Sequence, residues 1–159
     1  MNRYGSITLI AKALLLSAIV LFAGNSKSYA QESDIKAAVG SFHAALSSLD
    51  LKKVEAVWAH EGYVTLINPR DKKISIGWEA VKANWEATVN FWSELKLTQL
   101  DGPHIHISGN VAWATGIANA AGKSKAGAAV SADTYETDVF EKRGNQWLLV
   151  SHTASRVPQ

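Results

Sequence analysis

The C-terminal part of the chain is a run of strand-like segments joined by turn sequences, and this run restricts the possible folds more than any other feature. The segments, rich in β-branched and aromatic residues, are 95–100, 105–108, 111–120, 131–141 and 147–156. The turn sequences are Asp101-Gly102-Pro103, Ser108-Gly109-Asn110 and Arg143-Gly144-Asn145. Together they predict an antiparallel sheet, in which the first two segments form one long strand bent at Pro103. Residues 121–129, rich in Gly, Ala, Ser and Lys, are predicted to be a mobile hairpin loop.

Three amphipathic helices are predicted before these strands. The first covers residues 34–49, where apolar residues recur every three or four positions. The second begins at Asp50 and ends at Gly62, and short strands follow at residues 63–67 and 74–76. The third carries an apolar stripe typical of core packing, formed by Trp78, Val81, Trp85, Val89 (or Thr88) and Trp92. This order predicts an α+β fold in which the third helix crosses a strongly curved sheet and leaves a cup at one end.

The first 30 residues have the three-part pattern of a secretory signal peptide. Basic residues accompany an apolar run over residues 7–23, and small residues precede a cleavage site between Ala30 and Gln31. An uncleaved membrane anchor is the alternative, but the run is shorter than the roughly 20 apolar residues that a spanning helix needs. We therefore expect an exported protein, periplasmic or secreted, whose mature domain covers residues 31–159 and keeps no stable membrane anchor.

Charge and cysteine content exclude several classes of partner and stabilising bond. Without the three Lys/Arg residues of the segment 1–30, 13 basic residues face 14 acidic ones. A near-neutral chain has no general affinity for phosphate backbones, so we expect no nucleic-acid partner. The chain has no Cys, so its core must hold the domain together without disulfides.

Six short motifs resemble those of the NTF2-like superfamily, in its SnoaL-like and ketosteroid-isomerase-like branch. In chain order they are Leu49-Asp50-Leu51, Val57-Trp58-Ala59-His60, Leu66-Ile67-Asn68-Pro69, Gly77-Trp78-Glu79-Ala80-Val81, Ser108-Gly109-Asn110-Val111-Ala112-Trp113 and Trp147-Leu148-Leu149-Val150-Ser151-His152. The resemblance implies a conical α+β barrel, with three N-terminal helices against a strongly curved antiparallel sheet, often as a homodimer. It does not imply one activity, because the superfamily includes isomerases, cyclases, dehydratases and non-catalytic binding or assembly domains.

The resemblance also places the three catalytic groups of ketosteroid isomerase on this sequence. That mechanism needs a carboxylate base, a Tyr and a protonated carboxylic acid around the developing enolate. The base position falls on Asn68, the Tyr position on Phe42 and the acid position on Thr137, although a shift of one residue would let Asp138 take the last role. Because none of the three residues can perform its role, we expect no isomerisation by this route.

Strand alternation predicts which residues face the cup. The predicted inner residues are Leu66, Asn68, Trp113, Thr115, Ile117, Asn119, Asp133, Tyr135, Thr137, Val139, Leu148, Val150, His152 and Ala154. Asp133 is expected near the solvated rim. The small residues Ala112, Ala114, Gly116 and Ala118 would then face outward. A small outer face is compatible with a second subunit and equally with a crowded monomer. The homodimer is favoured because the resemblance implies it.

The histidines are the remaining candidates for chemistry. His152 can exchange protons near neutral pH from inside the cup, or it can be a structural residue of the sheet. His104 and His106 share a strand face, but no Cys or acidic partner completes a ligand set, so we expect no metal site and no cofactor. His43 and His60 lack a partner at helical spacing, and His60 is expected to form a hydrogen bond at a helix end.

Three functions follow from these residues. The first is a cup that binds a small, mostly apolar molecule. Its candidate ligand-binding residues are Asn68, Trp85, Trp113, Thr115, Tyr135, Thr137 and His152. The second is an enzyme of the isomerase, cyclase or dehydratase type with His152 as general base and Tyr135 as acid. The third is a dimerisation domain whose own side chains fill the cup. No feature of the sequence requires catalysis, and the binding function is favoured.

Overall fold

The computed structural model describes residues 31–158, and in them helices pack on one face of a six-stranded sheet. The helices are α1 (31–47), α2 (Leu51–Ala56) and α3 (Trp78–Phe91). The strands are β1 (Thr65–Ile67), β2 (Ser75–Ile76), β3 (Trp92–Ser108), β4 (Val111–Ser124), β5 (Ala129–Arg143) and β6 (Gln146–Arg156). The predicted signal peptide, residues 1–30, lies outside the described residues. Within 31–158, no helix has the length and apolar character to span a membrane.

The sheet is curved and its edges do not meet. Its strand order is β2-β1-β6-β5-β4-β3, and the four long strands pair antiparallel in sequence order. This confirms the predicted α+β fold class. The short strand β1 pairs in parallel with β6, where Leu66 lies opposite His152. The parallel pairing places the chain that follows β1, beginning with Asn68, beside the C-terminal half of β6.

The long strands extend further than predicted. β3 is the single bent strand expected around Pro103, with breaks in its register between Gln99 and His104. The predicted mobile loop over residues 121–129 was wrong, because β4 runs to Ser124 and β5 begins at Ala129. Gly122 permits this extension, since a Cβ at that position would collide with the backbone carbonyl of Glu94 on β3.

All three helices end earlier than predicted, and α1 ends at residue 47 instead of 49. Asp50 caps α2 as expected, and its side chain accepts a hydrogen bond from the Lys52 N–H at 3.0 Å. The helix ends at Ala56 instead of Gly62, because the backbone on either side of Trp58 pairs with Leu149 of β6. α3 ends at Phe91, so Trp92 begins β3 and is not part of the helical stripe.

The core lies between the helices and the sheet face that they cover, which we call the inner face. Phe42 of α1 and Trp85 of α3 meet edge-on with their ring centroids 5.5 Å apart. Both rings also contact the His152 ring of β6, at 5.0 and 5.8 Å between centroids. Trp58 lies 6.1 Å from Trp85 on the same measure. These aromatic contacts join both long helices to the last strand.

The predicted facing of β4 and β5 was wrong by one residue. The buried residues on these strands are Ala112, Ala114, Ala118, Ser124, Thr134, Glu136, Asp138 and Phe140. Trp113 is 41% exposed and Tyr135 is 48% exposed, on the opposite face. Ala112 and Ala114 belong to the core cluster that also contains Phe42 and Trp85, where close packing favours small side chains. The small residues therefore do not form the predicted outer face.

The prediction for β6 was correct for its second half. Val150, His152 and Ala154 are buried as expected. Val139 pairs with Ser151 but Phe140 pairs with Leu149, so Val150 is an extra residue in this ladder. In the residues that precede this bulge, the inward and outward positions are exchanged relative to the prediction. Leu149 is therefore buried, whereas Leu148 was predicted to face inward.

Replacing Trp85 by Ala should destabilise the protein by about 3–5 kcal/mol, because it removes a large, 1% exposed ring from the centre of the core. Ile76→Ala is the control: this side chain is 63% exposed on β2, so its loss should cost about 1 kcal/mol or less. Urea unfolding followed by circular dichroism measures both values. Equal losses for the two variants would contradict the assignment of Trp85 to the core.

Candidate functional site

A cavity of about 320 Å³ lies between the inner face of the sheet and helices α1 and α3. This volume is at the lower end of the roughly 300–1,000 Å³ typical of small-molecule pockets. Its apolar wall includes Phe42, Leu46, Trp85, Phe91, Leu97 and Ala132. Its polar lining includes Asn68, Asn84, Thr134, Glu136 and His152, and the exposed residues Arg70 and Arg156. The site is thus an apolar cavity with a small number of polar groups.

His152 is the polar residue of the cavity whose position is most strongly fixed. Its Nδ1 lies 2.7 Å from Oδ1 of Asp138, and both residues are almost fully buried. Its ring edge is held between Phe42 and Trp85. Among the described residues, Nε2 has no hydrogen-bond partner. One nitrogen of the ring is therefore anchored, and the other is available to a molecule in the cavity.

The surroundings of His152 favour its charged form. Burial is the largest effect on its pKa and lowers it, because an imidazolium ion loses hydration there. The hydrogen bond and the negative charge of Asp138, together with the charge of Glu136, outweigh this penalty and raise the pKa above its ordinary value of 6.5. With Nδ1 donating to Asp138, the protonated ring presents a second N–H at Nε2.

A second buried pair, which the sequence analysis missed, connects α1 to β5. His43 Nε2 lies 2.9 Å from Oε2 of Glu136, and the Thr134 hydroxyl donates to the other carboxylate oxygen at 3.3 Å. Burial raises the pKa of Glu136, but the hydrogen bond from His43, the charges of His152 and His43 and the Thr134 hydroxyl together lower it below its ordinary value. Glu136 is therefore a paired carboxylate at the cavity wall.

Asn68 belongs to a network of amides at the end of β1. Its Nδ2 donates to Oδ1 of Asn84 at 2.9 Å, and Asn84 Nδ2 donates to Asp71 at 2.8 Å and to Ser75 at 3.1 Å. The backbone N–H of Asn68 also donates to Asp71, at 2.8 Å. Asn84, on α3, was not predicted as a site residue. The network fixes the Asn68 side chain, whose Oδ1 has no hydrogen-bond partner in the described part of the chain.

The structure brings together three of the seven predicted ligand-binding residues. Asn68, Trp85 and His152 line the cavity. The other four, Trp113, Thr115, Tyr135 and Thr137, lie on the opposite sheet face and do not line it. The structure therefore does not bring Tyr135 and His152, the predicted acid and base, together in one cavity.

The remaining predictions concern groups away from the cavity. His60 forms the expected hydrogen bond at the end of a helix, 3.0 Å from the carbonyl of Glu55. His104 is exposed beside Asp101, at 3.4 Å. Asp133 is exposed, as expected, but on the outer face, where it accepts a hydrogen bond from Asn119 at 2.7 Å. Within residues 31–158, no group of three or more His, Asp or Glu is placed to hold a metal ion.

Comparison with protein families gives the relationship of this chain. Residues 35–159 match the SnoaL-like domain. The chain belongs to the SnoaL-like family. This match and the structural neighbours described next confirm the resemblance carried by the six motifs. No curated protein matches the chain.

Three solved structures share the SnoaL-like fold. An NTF2-like superfamily protein from Salmonella enterica serovar Typhimurium has a TM-score of 0.73 at 18% identity, covering 84% of this chain and 94% of that chain. A ketosteroid isomerase-like protein from Erwinia carotovora has a TM-score of 0.69 at 16% identity, covering 80% and 96%. The association domain of C. elegans CaMKII has a TM-score of 0.63 at 20% identity, also covering 80% and 96%. At these identities the similarity establishes the fold alone.

The stability of this SnoaL-like domain should fall as the pH rises above about 6.5. Because the pKa of His152 is raised on folding, the native state binds more protons than the unfolded state between 6.5 and the higher folded value. Glu136 affects stability at acidic pH. Because its pKa is lowered in the folded state, its contribution to stability is present above its ordinary pKa of 4.5 and is lost as the pH falls through the pKa of the folded state. Urea unfolding across this range measures both slopes.

Asp138→Asn tests whether Asp138 causes the fall in stability at rising pH. It removes the group that raises the pKa of His152, so NMR titration should show this pKa falling, and the loss of stability at rising pH should shrink. Asp133→Asn, which neutralises an exposed carboxylate on the other face of the same strand, should change neither. A His152 pKa below 6.5 in the unmodified protein would contradict the electrostatic argument.

Proposed function

We propose that this domain binds a small, mostly apolar molecule carrying a carbonyl or hydroxyl oxygen, and that His152 donates a hydrogen bond to that oxygen. The observation that carries the proposal is the state of the His152 ring. Its Nδ1 is held by Asp138, and Nε2 has no partner among the described residues although the ring lines the cavity. Polar groups fixed in this way inside an apolar pocket orient a ligand.

The protonation of His152 favours binding over base catalysis. Since the pKa of this ring is raised, folding shifts the ring toward its protonated form, and a protonated imidazole donates hydrogen bonds but cannot accept a proton. The cavity also argues against a domain whose own side chains fill the cup, because about 320 Å³ remains open beside His152.

The probe for this proposal is 4-phenyl-2-butanone, a neutral ketone with an apolar ring. Calorimetry should detect its binding to the unmodified protein, and His152→Gln should weaken it about fivefold or more because the charged donor is lost. Ala132→Leu, which places a larger side chain in the cavity lining, should abolish binding. Ala129→Leu is the matched control, since Ala129 is exposed on the same strand outside the lining. Binding unaffected by Ala132→Leu would contradict the cavity as the site.

Acid catalysis is a second candidate function, favoured by the paired His152–Asp138 geometry. A protonated His152 that holds the ketone oxygen would stabilise the enolate that forms when solvent hydroxide removes a neighbouring proton as water. The same samples in D₂O test this candidate. Exchange of the ketone's α-hydrogens, seen by NMR and lost in His152→Gln, would support catalysis, whereas binding without exchange supports the binding function alone.

The proposal also covers where the domain acts. The signal-peptide pattern supports export, with the domain acting in the periplasm or outside the cell.

The proposal also covers how the domain assembles. A homodimer is supported by the outer sheet face, where Trp113, Tyr135 and Val111 are exposed. Large apolar side chains on this face, rather than small ones, would form the contact.

Sedimentation velocity tests the dimer. The unmodified protein should sediment as a dimer, and Tyr135→Glu should shift it to a monomer because a charge would be buried at the contact. Ile76→Glu introduces the same charge at an exposed position on β2, the other edge of the sheet, and should leave the dimer intact. A monomeric unmodified protein would overturn the proposal.

A further inference from the structure

Two arginines line the cavity without an ion-pair partner among the described residues. Arg70 and Arg156 are both exposed residues of the lining, and neither forms an ion pair with any described residue. Arg143, in contrast, lies against Glu141 and Glu61 at 2.6 and 3.8 Å. Unpaired guanidinium groups beside an apolar cavity are suited to an anionic group of a ligand.

Arg70 is held in place by an aromatic ring of the same cavity. Its Cζ lies 4.2 Å from the centroid of the Phe91 ring, at the end of α3. A guanidinium that stacks on a ring keeps the N–H groups at its edge free for hydrogen bonds. The backbone beside it is also fixed, because Asp71 and Asn68 exchange hydrogen bonds of 2.8 and 2.9 Å across the turn. The position of Arg70 therefore does not depend on an anion.

Arg156 approaches the cavity from another part of the fold. It is the last residue of β6 and pairs with Thr134 of β5. The next residue, Val157, donates a backbone hydrogen bond of 2.9 Å to Asp133, which continues the pairing past the end of the strand. Two separate segments thus bring a cation to one cavity.

The charges around the cavity decide the class of anion. Glu136 is paired with His43 and hydrogen-bonded by Thr134 inside the domain. Asp71 is the acidic lining residue nearest in sequence to Arg70, and its Oδ2 accepts hydrogen bonds from the amide network. Because the carboxylates of Asp71 and Glu136 belong to the same lining, a singly charged carboxylate meets less repulsion there than a doubly charged phosphate.

We propose that the cavity takes a small monocarboxylate with an apolar body, and that Arg70 and Arg156 pair with its carboxylate. The apolar body of the ligand contacts Trp85 and Phe91, which line the cavity. This inference rests on the proposed function, since it assigns the ligand class of the same site. The proposed function requires only a carbonyl or hydroxyl oxygen on the ligand, whereas this inference requires a negatively charged carboxylate.

Calorimetry with 4-phenylbutyrate and its neutral isostere 4-phenylbutanamide tests the inference in the full chain. The acid should bind about tenfold more tightly than the amide, since charge-assisted pairs are stronger than neutral hydrogen bonds. Arg70→Gln and Arg156→Gln should each weaken the acid about fivefold or more and change the amide by less than about twofold. Lys52→Gln, an exposed cation outside the lining, is the control and should change neither.

The outcomes separate this inference from the proposed function. Equal affinities for acid and amide, unchanged by both Arg variants, would overturn the carboxylate assignment while ketone binding keeps the proposed function. Tighter binding of 4-phenylbutyl phosphate than of the acid would also overturn it, in favour of a phosphate ligand. Binding of neither the acid nor the ketone would contradict both proposals. Both arginines are exposed, so loss of folding is not expected in the variants.

Discussion

The buried hydrogen bond between His152 and Asp138 determines much of the inner face. A charged ring and a carboxylate cannot be buried separately without a large penalty, so each requires the other. The 2.7 Å contact joins β5 to β6 and orients the His152 ring against Phe42 and Trp85. It leaves one imidazole nitrogen beside the cavity. Structure and proposed function therefore depend on the same pair of atoms.

The order of elements could be predicted from the sequence, but the facing of the central strands could not. Helical periodicity and turn residues identify the three helices and the long strands, and family motifs identify the curved sheet. On β4, large residues such as Trp113 alternate with small ones such as Ala112, and both patterns fit a buried face. A one-residue error in phase moves every side chain to the other face. The packing of Phe42 and Trp85 on the inner face determines which side chains of the strand point inward. These contacts join residues that are far apart in the sequence.

The candidate site was predictable only where a residue's role did not depend on that phase. Asn68, Trp85 and His152 were identified from the end of a strand, a helical stripe and a correctly phased strand. A usable signal for the rest existed: Glu136 and Asp138 share one strand face, and a buried His at position 43 or 152 needs an acidic partner. Arg70 carries no such pattern, because its role arises from Phe91, which is distant in sequence.

The corrected facing also changes the comparison with ketosteroid isomerase. With Thr137 on the outer face, the inner position of the acid falls on Asp138, so a carboxyl group is present there. Asp138 is hydrogen-bonded to Nδ1 of His152, so the carboxyl oxygen that makes this contact is not free to bond to an enolate. Phe42 and Asn68 still lack the hydroxyl and the base. The donor that this cavity offers to a ligand oxygen is therefore Nε2 of His152, and the hydrogen bond between Nδ1 and Asp138 fixes the orientation of that ring.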